Sequence, residues 1–169
     1  RMIAVGENVT EEEIEKACDT MYKYALSRCL TPEEKQNVKK VTKNQLLSWG
    51  LLQEQDGKMV PTNGHMLLNQ NDLQEASVQC GVFKGTTRAT FVDKKEYGGT
   101  LCEQIDEAYQ FVLRNIRMGA EFGELYRRDV YELPIDSIRE LIANAVSHRS
   151  YLDPGKVQVA LYDDRLEIT

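Results

Sequence analysis

The feature that most limits the fold of this chain is a change in hydrophobic period near residue 76. Before it, apolar residues recur at helical spacing. After it, short runs typical of strands are mixed with two further helical stretches. Residues 69–72 (Asn-Gln-Asn-Asp) are polar and turn-prone, and they lie just before this change. The sequence therefore predicts an α+β fold in two parts: a helical unit over residues 10–70 and an α/β sandwich-type domain over 71–169.

Composition narrows the class of protein. The 169 residues are 41% apolar and 28% charged, as in soluble globular proteins, and no apolar run is long enough to cross a bilayer. We therefore expect a cytoplasmic protein without membrane contact. The net charge of −6 argues against a surface that attracts nucleic acid as a whole, although it permits a local basic patch. The spacing of the few cysteines and histidines predicts reduced thiols and no metal centre built on them: Cys18, Cys29, Cys80, Cys102, His65 and His148.

Three helix starts and a hairpin mark the first part of the chain. Thr10 and Glu13 have the spacing of a capping box, Thr31-Pro32 marks a second helix start, and Thr42 with Gln45 marks a third. Asp56-Gly57 is a strong signal for a hairpin turn. Three short helices followed by a hairpin predict a winged-helix-like unit.

Two interpretations of this winged-helix-like unit stay open. In one it is a DNA-binding module whose basic cluster faces DNA: Lys39, Lys40, Lys43 and Asn44. In the other it is a helical packing unit with a β-ribbon that touches no DNA. The charge balance of the chain favours the second interpretation.

The second part alternates strands and helices. Strands are predicted at residues 77–84, 89–93 and 125–133, with a final hairpin at 157–162 and 166–168. One helix is predicted after Thr100, and another leads from Pro134 to near Arg149. Because the chain stops within the last hairpin, where an unpaired edge is a liability, we expect it to be a fragment of a longer protein.

The second of these helices carries the most informative pattern. Its apolar face consists of residues at helical spacing: Ile138, Leu141, Ile142, Ala145 and Val146. Beside it, Glu140, Asn144 and His148 follow one another at intervals of four and form a polar row. Asn is a poor helix former whose amide competes with the backbone, so its place in mid-helix suggests a function. The alternative is an ordinary exposed helix face, and the spacing alone favours that alternative.

Several motifs resemble those of a family of prokaryotic transcriptional regulators, the RecG-related or Schlafen-type group, which carry a divergent GHKL-like ATPase domain. The strongest are Leu133-Pro134, Ile138-Arg139-Glu140, Asn144-Ala145, His148-Arg149-x-Tyr151 and the run from Tyr162 to Ile168. Softer matches to the preceding region of the same proteins are Thr62-Asn63, Leu67-Leu68 and Phe83-Lys84-Gly85. Ile3-Ala4-Val5-Gly6 is similar to the end of their AlbA-like domain. The resemblance implies that residues 1–9 are the tail of that domain and that residues from about 129 to 169 begin a truncated GHKL-like fold.

The resemblance also implies roles for the polar row. Glu140 matches the glutamate that activates water, and Asn144 matches the asparagine whose side-chain oxygen holds Mg²⁺ on the nucleotide phosphates. His148 and Arg149 match positions that can meet phosphate. The adenine-binding segment of GHKL proteins follows the matched residues, so ATP and Mg²⁺ are expected for the parent protein and no cofactor for this chain alone. Whether the protein is an enzyme stays open: the chain alone is expected to be inactive, and the parent a weak or degenerate ATPase.

Three functions are alternatives at this point. In the first, the chain links an upstream nucleic-acid-binding domain to a nucleotide-sensing GHKL-like domain, in a transcriptional regulator that binds DNA. In the second, it is itself a DNA-binding winged-helix module. In the third, it is a structural or dimerisation core without ligand chemistry, in which two copies form a homodimer. We expect the first for the parent protein and the third for the isolated chain.

Overall fold

The computed structural model describes residues 8–69, 76–116, 118–122, 127–151 and 155–169, and for 118–122 and 127–131 it describes the backbone only. The chain divides into two units, Arg1–Asp72 and Leu73–Thr169. Helices and strands are present in both units, so the prediction of an α+β fold is confirmed. Within the described residues, no helix combines the length and the apolar character needed to span a membrane.

The first unit has three helices before a hairpin and a fourth helix after it. These elements are α1 (Glu11–Arg28), α2 (Pro32–Asn37), α3 (Lys43–Ser48), β1 (Leu52–Gln55), β2 (Lys58–Pro61) and α4 (Asn63–Asn69). The first three helices begin at the predicted residues, and each has a complete capping box, as predicted for the first. In the hairpin turn, Asp56 and Gly57 have φ angles of 51° and 73°. A type I′ turn needs positive φ at both central residues, so the Asp-Gly pair fixes this connection.

The core of the first unit lies between α1, α3 and the hairpin. Its buried side chains are those of Val9, Ile14, Leu46, Leu51 and Leu52. The backbone N–H of Val9 donates to the carbonyl of Met59 over 2.8 Å, which ties the segment before α1 to β2. The position of α1 is therefore set both by apolar packing and by a strand-like hydrogen bond.

The second unit contains eight elements among its described residues. They are β3 (Val78–Phe83), β4 (Phe91–Tyr97), α5 (Leu101–Asn115), β5 (Met118–Phe122), β6 (Arg127–Tyr131), α6 (Ile135–His148), β7 (Val157–Leu161) and β8 (Leu166–Ile168). Four strands form a sheet in the order β4-β3-β7-β8, in which β3 and β7 are parallel and the other neighbours antiparallel. β5 and β6 form a separate antiparallel hairpin.

α5 and α6 pack against one face of the four-stranded sheet. That face consists of alternate strand residues, among them Val78, Cys80 and Val159, because successive side chains of a strand point to opposite faces. The helices contribute Ala108, Phe111, Val112, Ile138, Ile142 and Val146 to the same buried cluster. This cluster is the core that holds α6 on the sheet.

Two strands differ from the prediction. β4 was predicted at residues 89–93 but occupies Phe91–Tyr97. Its second half is highly charged, and charge in a strand is typical of a sheet edge rather than of the half-buried pattern used to find strands. β5 was not predicted at all, since Gly119 and Ala120 are weak strand formers and no alternation marks the segment.

The packing of α6 gives a first testable prediction. Ile142 is 0% exposed, whereas its neighbour Leu141 is 55% exposed. Ile142→Ala should lower the free energy of unfolding of the second unit by about 2–5 kcal/mol, because it removes buried apolar volume. Leu141→Ala should change it by less than about 0.5 kcal/mol. Native-state hydrogen exchange of the β7 amides reports on this unit, and equal effects of the two substitutions would contradict the packing described here.

Candidate functional site

Helix α6 is held in place along its length. Ile138, Ile142 and Val146, one helical turn apart, are all buried against the core. On the side towards α5, Nη2 of Arg139 lies 3.0 Å from Oδ1 of Asp106, and both side chains are about a quarter to a third exposed, at 26% and 34%. An ion pair that is partly shielded from water fixes the rotation of one helix against the other better than an exposed pair.

The predicted polar row lies on the outer side of α6. Glu140, Asn144 and His148 are all exposed. Among the described residues, none of the three side chains has a hydrogen-bond or ion-pair partner. At intervals of four residues they are about 6 Å apart along the helix axis. The row therefore offers a carboxylate, an amide and an imidazole on a rigid helix, each free to contact another molecule.

Arg149, which the resemblance assigns to phosphate, has internal partners instead. Its Nη1 donates to the carbonyl of Ser77 over 3.2 Å, and its Nη2 donates to the carbonyl of Gly155 over 2.6 Å. The guanidinium also lies 5.3 Å from the centre of the Tyr151 ring. The Tyr151 hydroxyl donates to the carbonyl of Val146, and partial burial raises the pKa of this phenol, an effect that the charge of Arg149 opposes. Arg149 thus joins the end of α6 to the segment before β3.

The basic cluster of the first unit is divided. Lys39, Lys40 and Asn44 are exposed, in the connection between α2 and α3 and at the start of α3. Lys43 instead lies 2.5 Å from Glu11 of α1, so its charge is compensated within the unit. A groove of about 630 Å³ runs here, and its lining places the α1 carboxylates opposite the lysines: Glu11, Glu15, Asp19, Lys40 and Lys43. The electrostatic surface at this point is mixed rather than basic.

Two motifs that carried the family resemblance meet in the structure. Gly85 follows β3, and Asp163 follows β7, at the carboxyl ends of two parallel strands. The Gly85 N–H donates to Oδ2 of Asp163 over 2.8 Å, and the Asp163 N–H donates to the Gly85 carbonyl over 3.1 Å. Beside them, the rings of Phe83 and Tyr162 stack with their centres 5.1 Å apart. These segments, 78 positions apart in sequence, therefore form one structural feature.

Sequence reasoning missed a second set of polar residues on the sheet. Nε of Arg88 donates to the Tyr162 hydroxyl over 2.9 Å, and its Nη1 donates to Oε1 of Gln158 over 2.7 Å. No local motif could reveal these contacts, because the partners are 74 and 70 positions away. The one available signal was the occurrence of small residues, Gly81 and Ala160, in strands of larger ones.

Comparison with solved structures reveals a similarity of fold. No family model matches the chain, and no curated protein matches it. Among solved structures, the DIP2311 protein from Corynebacterium diphtheriae is similar, with a TM-score of 0.59 and 18% sequence identity. The match covers 81% of this chain and 27% of that one, so this chain spans about a quarter of the length of that protein. At this level of identity the comparison shows a shared fold and no function.

The contacts of Arg149 predict that it stabilises the fold. Arg149→Met should lower the free energy of unfolding of the second unit by about 1–3 kcal/mol, because the part-buried Ser77 carbonyl and the exposed Gly155 carbonyl both lose their donor. His148→Gln is the matched control, one position earlier and without a partner among the described residues, and it should be neutral within about 0.5 kcal/mol. The free energy of unfolding of both variants can be measured from the hydrogen exchange of β3 and β7 amides at increasing urea concentration. Equal stability of the Arg149→Met variant and the parent chain would show that the guanidinium is dispensable for folding.

Proposed function

We propose that this chain belongs to a cytoplasmic transcriptional regulator, in which the winged-helix-like first unit is joined to a GHKL-like second unit that senses a nucleotide. The observation that carries the proposal is the row of Glu140, Asn144 and His148, exposed and without partners among the described residues. Nothing in the packing of α6 requires polar side chains of these three types. Their match to the family motif gives them a reason to be there.

The chemistry of the row fits a nucleotide with Mg²⁺. A neutral amide oxygen is a suitable ligand for a hard divalent cation, so Asn144 is the residue that would hold the metal. When bound, Mg²⁺ neutralises charge on the phosphates and makes them accessible to attack by water. A carboxylate one helical turn away can accept the proton of that water, which is the role proposed for Glu140. At the end of the row, His148 can donate a hydrogen bond to a phosphate oxygen.

The internal contacts of Arg149 modify the family assignment. Two of its nitrogens already donate to backbone carbonyls, so it is a poor candidate for direct contact with phosphate. In the proposed site it acts as a positioning residue that fixes the end of α6. The charge that faces the nucleotide then comes from the metal rather than from this guanidinium.

Calorimetric titration of Mg-ATP into the full-length protein tests the nucleotide proposal. Asn144→Ala should weaken binding by about tenfold or more, since it removes a metal ligand. Ser147→Ala, an exposed position on the same helix, should leave the affinity unchanged. Glu140→Gln should keep binding and reduce any hydrolysis, because an amide cannot accept the proton. Absence of saturable binding in the folded full-length protein would refute the proposal and leave a structural or dimerisation role.

A second candidate function is DNA binding by the first unit. Three helices with a hairpin, and exposed Lys39, Lys40 and Asn44, favour it, whereas the Lys43–Glu11 pair opposes it. If these two lysines contact phosphates, the double variant Lys39→Gln/Lys40→Gln should release about two fewer counterions on binding. The slope of log affinity against log salt concentration should then be shallower by about two. Lys23→Gln is the matched control, because Lys23 is already paired with Asp19. Fluorescence anisotropy with duplex DNA at several salt concentrations decides this, and equal slopes for all variants would exclude the lysines from the interface.

A further inference from the structure

The sheet of the second unit carries a trough on the face opposite α5 and α6. Its volume is about 220 Å³, and its floor is formed by Gly81 of β3 and Ala160 of β7. These two residues are direct partners in the parallel register, so two small residues lie side by side at the centre of the sheet. A Cβ atom on Gly81 would lie 3.1 Å from the Phe83 ring, which is tighter than ordinary contact. The absence of a side chain there keeps the trough open.

One end of the trough is aromatic. Phe83 and Phe91 pack with their ring centres 4.7 Å apart. Phe83 is buried, but Phe91 is 58% exposed and is among the large apolar side chains with the most exposed surface. An exposed ring that lines a concave site is a ready surface for stacking against another flat apolar group.

The side of the trough is positively charged. Lys94 is the partner of Gly81 in the β3–β4 register, is exposed, and has no ion-pair or hydrogen-bond partner among the described residues. Arg88 also lines the trough, but Glu167 lies 3.8 Å from its Nη2 and compensates part of its charge. Glu96, two residues beyond Lys94 on β4, is bonded to Lys156 and to Ser77, and these bonds lower its pKa to about 2. Among the residues that the structure describes, no carboxylate lines the trough, so Lys94 provides a positive charge that no ion pair compensates.

The remaining end supplies a neutral donor. Oε1 of Gln158 accepts a hydrogen bond from Arg88, and this contact orients the amide so that its Nε2 is available to donate. Among the described residues no acceptor bonds to that nitrogen. Nε2 of Gln79, in contrast, is already used by Glu96 at 3.3 Å. A ligand group between Lys94 and Gln158 would therefore meet donors from both sides.

We propose that this trough binds a small planar aromatic carboxylate. The carboxylate lies between Lys94 and the Gln158 amide, and the ring lies over Gly81 and Ala160 and against Phe91. Charge-assisted hydrogen bonds to the carboxylate provide affinity, and the flat floor and aromatic end select a planar ligand over a bulky one. This site lies on the sheet face opposite the helices, is independent of the polar row on α6, and requires no nucleotide.

The test is a titration of the chain with benzoate, in which the amide nuclear magnetic resonance spectrum of the chain is recorded at each benzoate concentration. Saturable shifts are expected for Gly81, Lys94 and Gln158, with none in α6. Lys94→Gln should weaken binding by about tenfold, through loss of a charge-assisted hydrogen bond. Phe91→Leu should weaken it by about threefold to tenfold, because a ring contact is lost and apolar volume is kept. Unchanged spectra of the remaining residues establish that both variants are folded.

Lys95→Gln is the matched control for charge. Lys95 is adjacent in sequence, but its register partner is Cys80, so it lies on the other side of β4 and should not affect binding. Equal weakening by Lys94→Gln and Lys95→Gln would reduce the effect to non-specific electrostatics and overturn the proposal. So would shifts of equal size with acetate or inorganic phosphate, which lack a ring, or with cyclohexanecarboxylate, which is not planar. A lack of saturable shifts at the trough residues would also overturn it.

Discussion

The parallel pairing of β3 with β7 is the interaction on which the second unit depends. It joins residues 78–82 to residues 157–161, and both long helices of the unit lie in the connection between these strands. Parallel neighbours require such a crossover, and the crossover brings α5 and α6 back onto the sheet. Without this pairing, the apolar stripe of α6 would have no surface to pack against. The polar row on its outer side would then have no fixed position.

The same pairing determines what lies on the other face of the sheet and at its end. Because β3 and β7 run in the same direction, the residues that follow them lie at the same end of the sheet. There Gly85 and Asp163 are hydrogen-bonded to each other. The loop that carries Arg88 begins at this pair of hydrogen bonds. In the middle of the strands, the register places Gly81 beside Ala160 and leaves a depression among larger side chains. A single set of strand contacts thus positions a helix on one face and forms a trough on the other.

Local features of the fold could be predicted from the sequence, and long-range contacts could not. The capping boxes of α1, α2 and α3 involve residues three positions apart, and the Asp56-Gly57 turn depends on two neighbouring residues. Features of this kind can be recognised from a short stretch of sequence. The row on α6 was found for the same reason, because helical spacing alone aligns its members. Arg149 was assigned to phosphate from the family resemblance, and its contact with Ser77, which lies 72 positions earlier, is not visible in the sequence. Likewise, the pairing of Lys43 with Glu11 spans 32 positions, which no periodicity analysis detects.

The position of β4 has a consequence for how copies of this chain behave towards one another. β4 lies at one end of the four-stranded order, so one row of its backbone groups has no strand partner among the described residues. Such a row can template association with a strand from another molecule. Here the strand carries four consecutive charged residues, Asp93 to Glu96, and the register shift after Val82 interrupts the regular ladder. Joining two such edges would crowd like charges and strip water from them. The charged β4 edge therefore disfavours aggregation through this side of the sheet, even when many copies are crowded together.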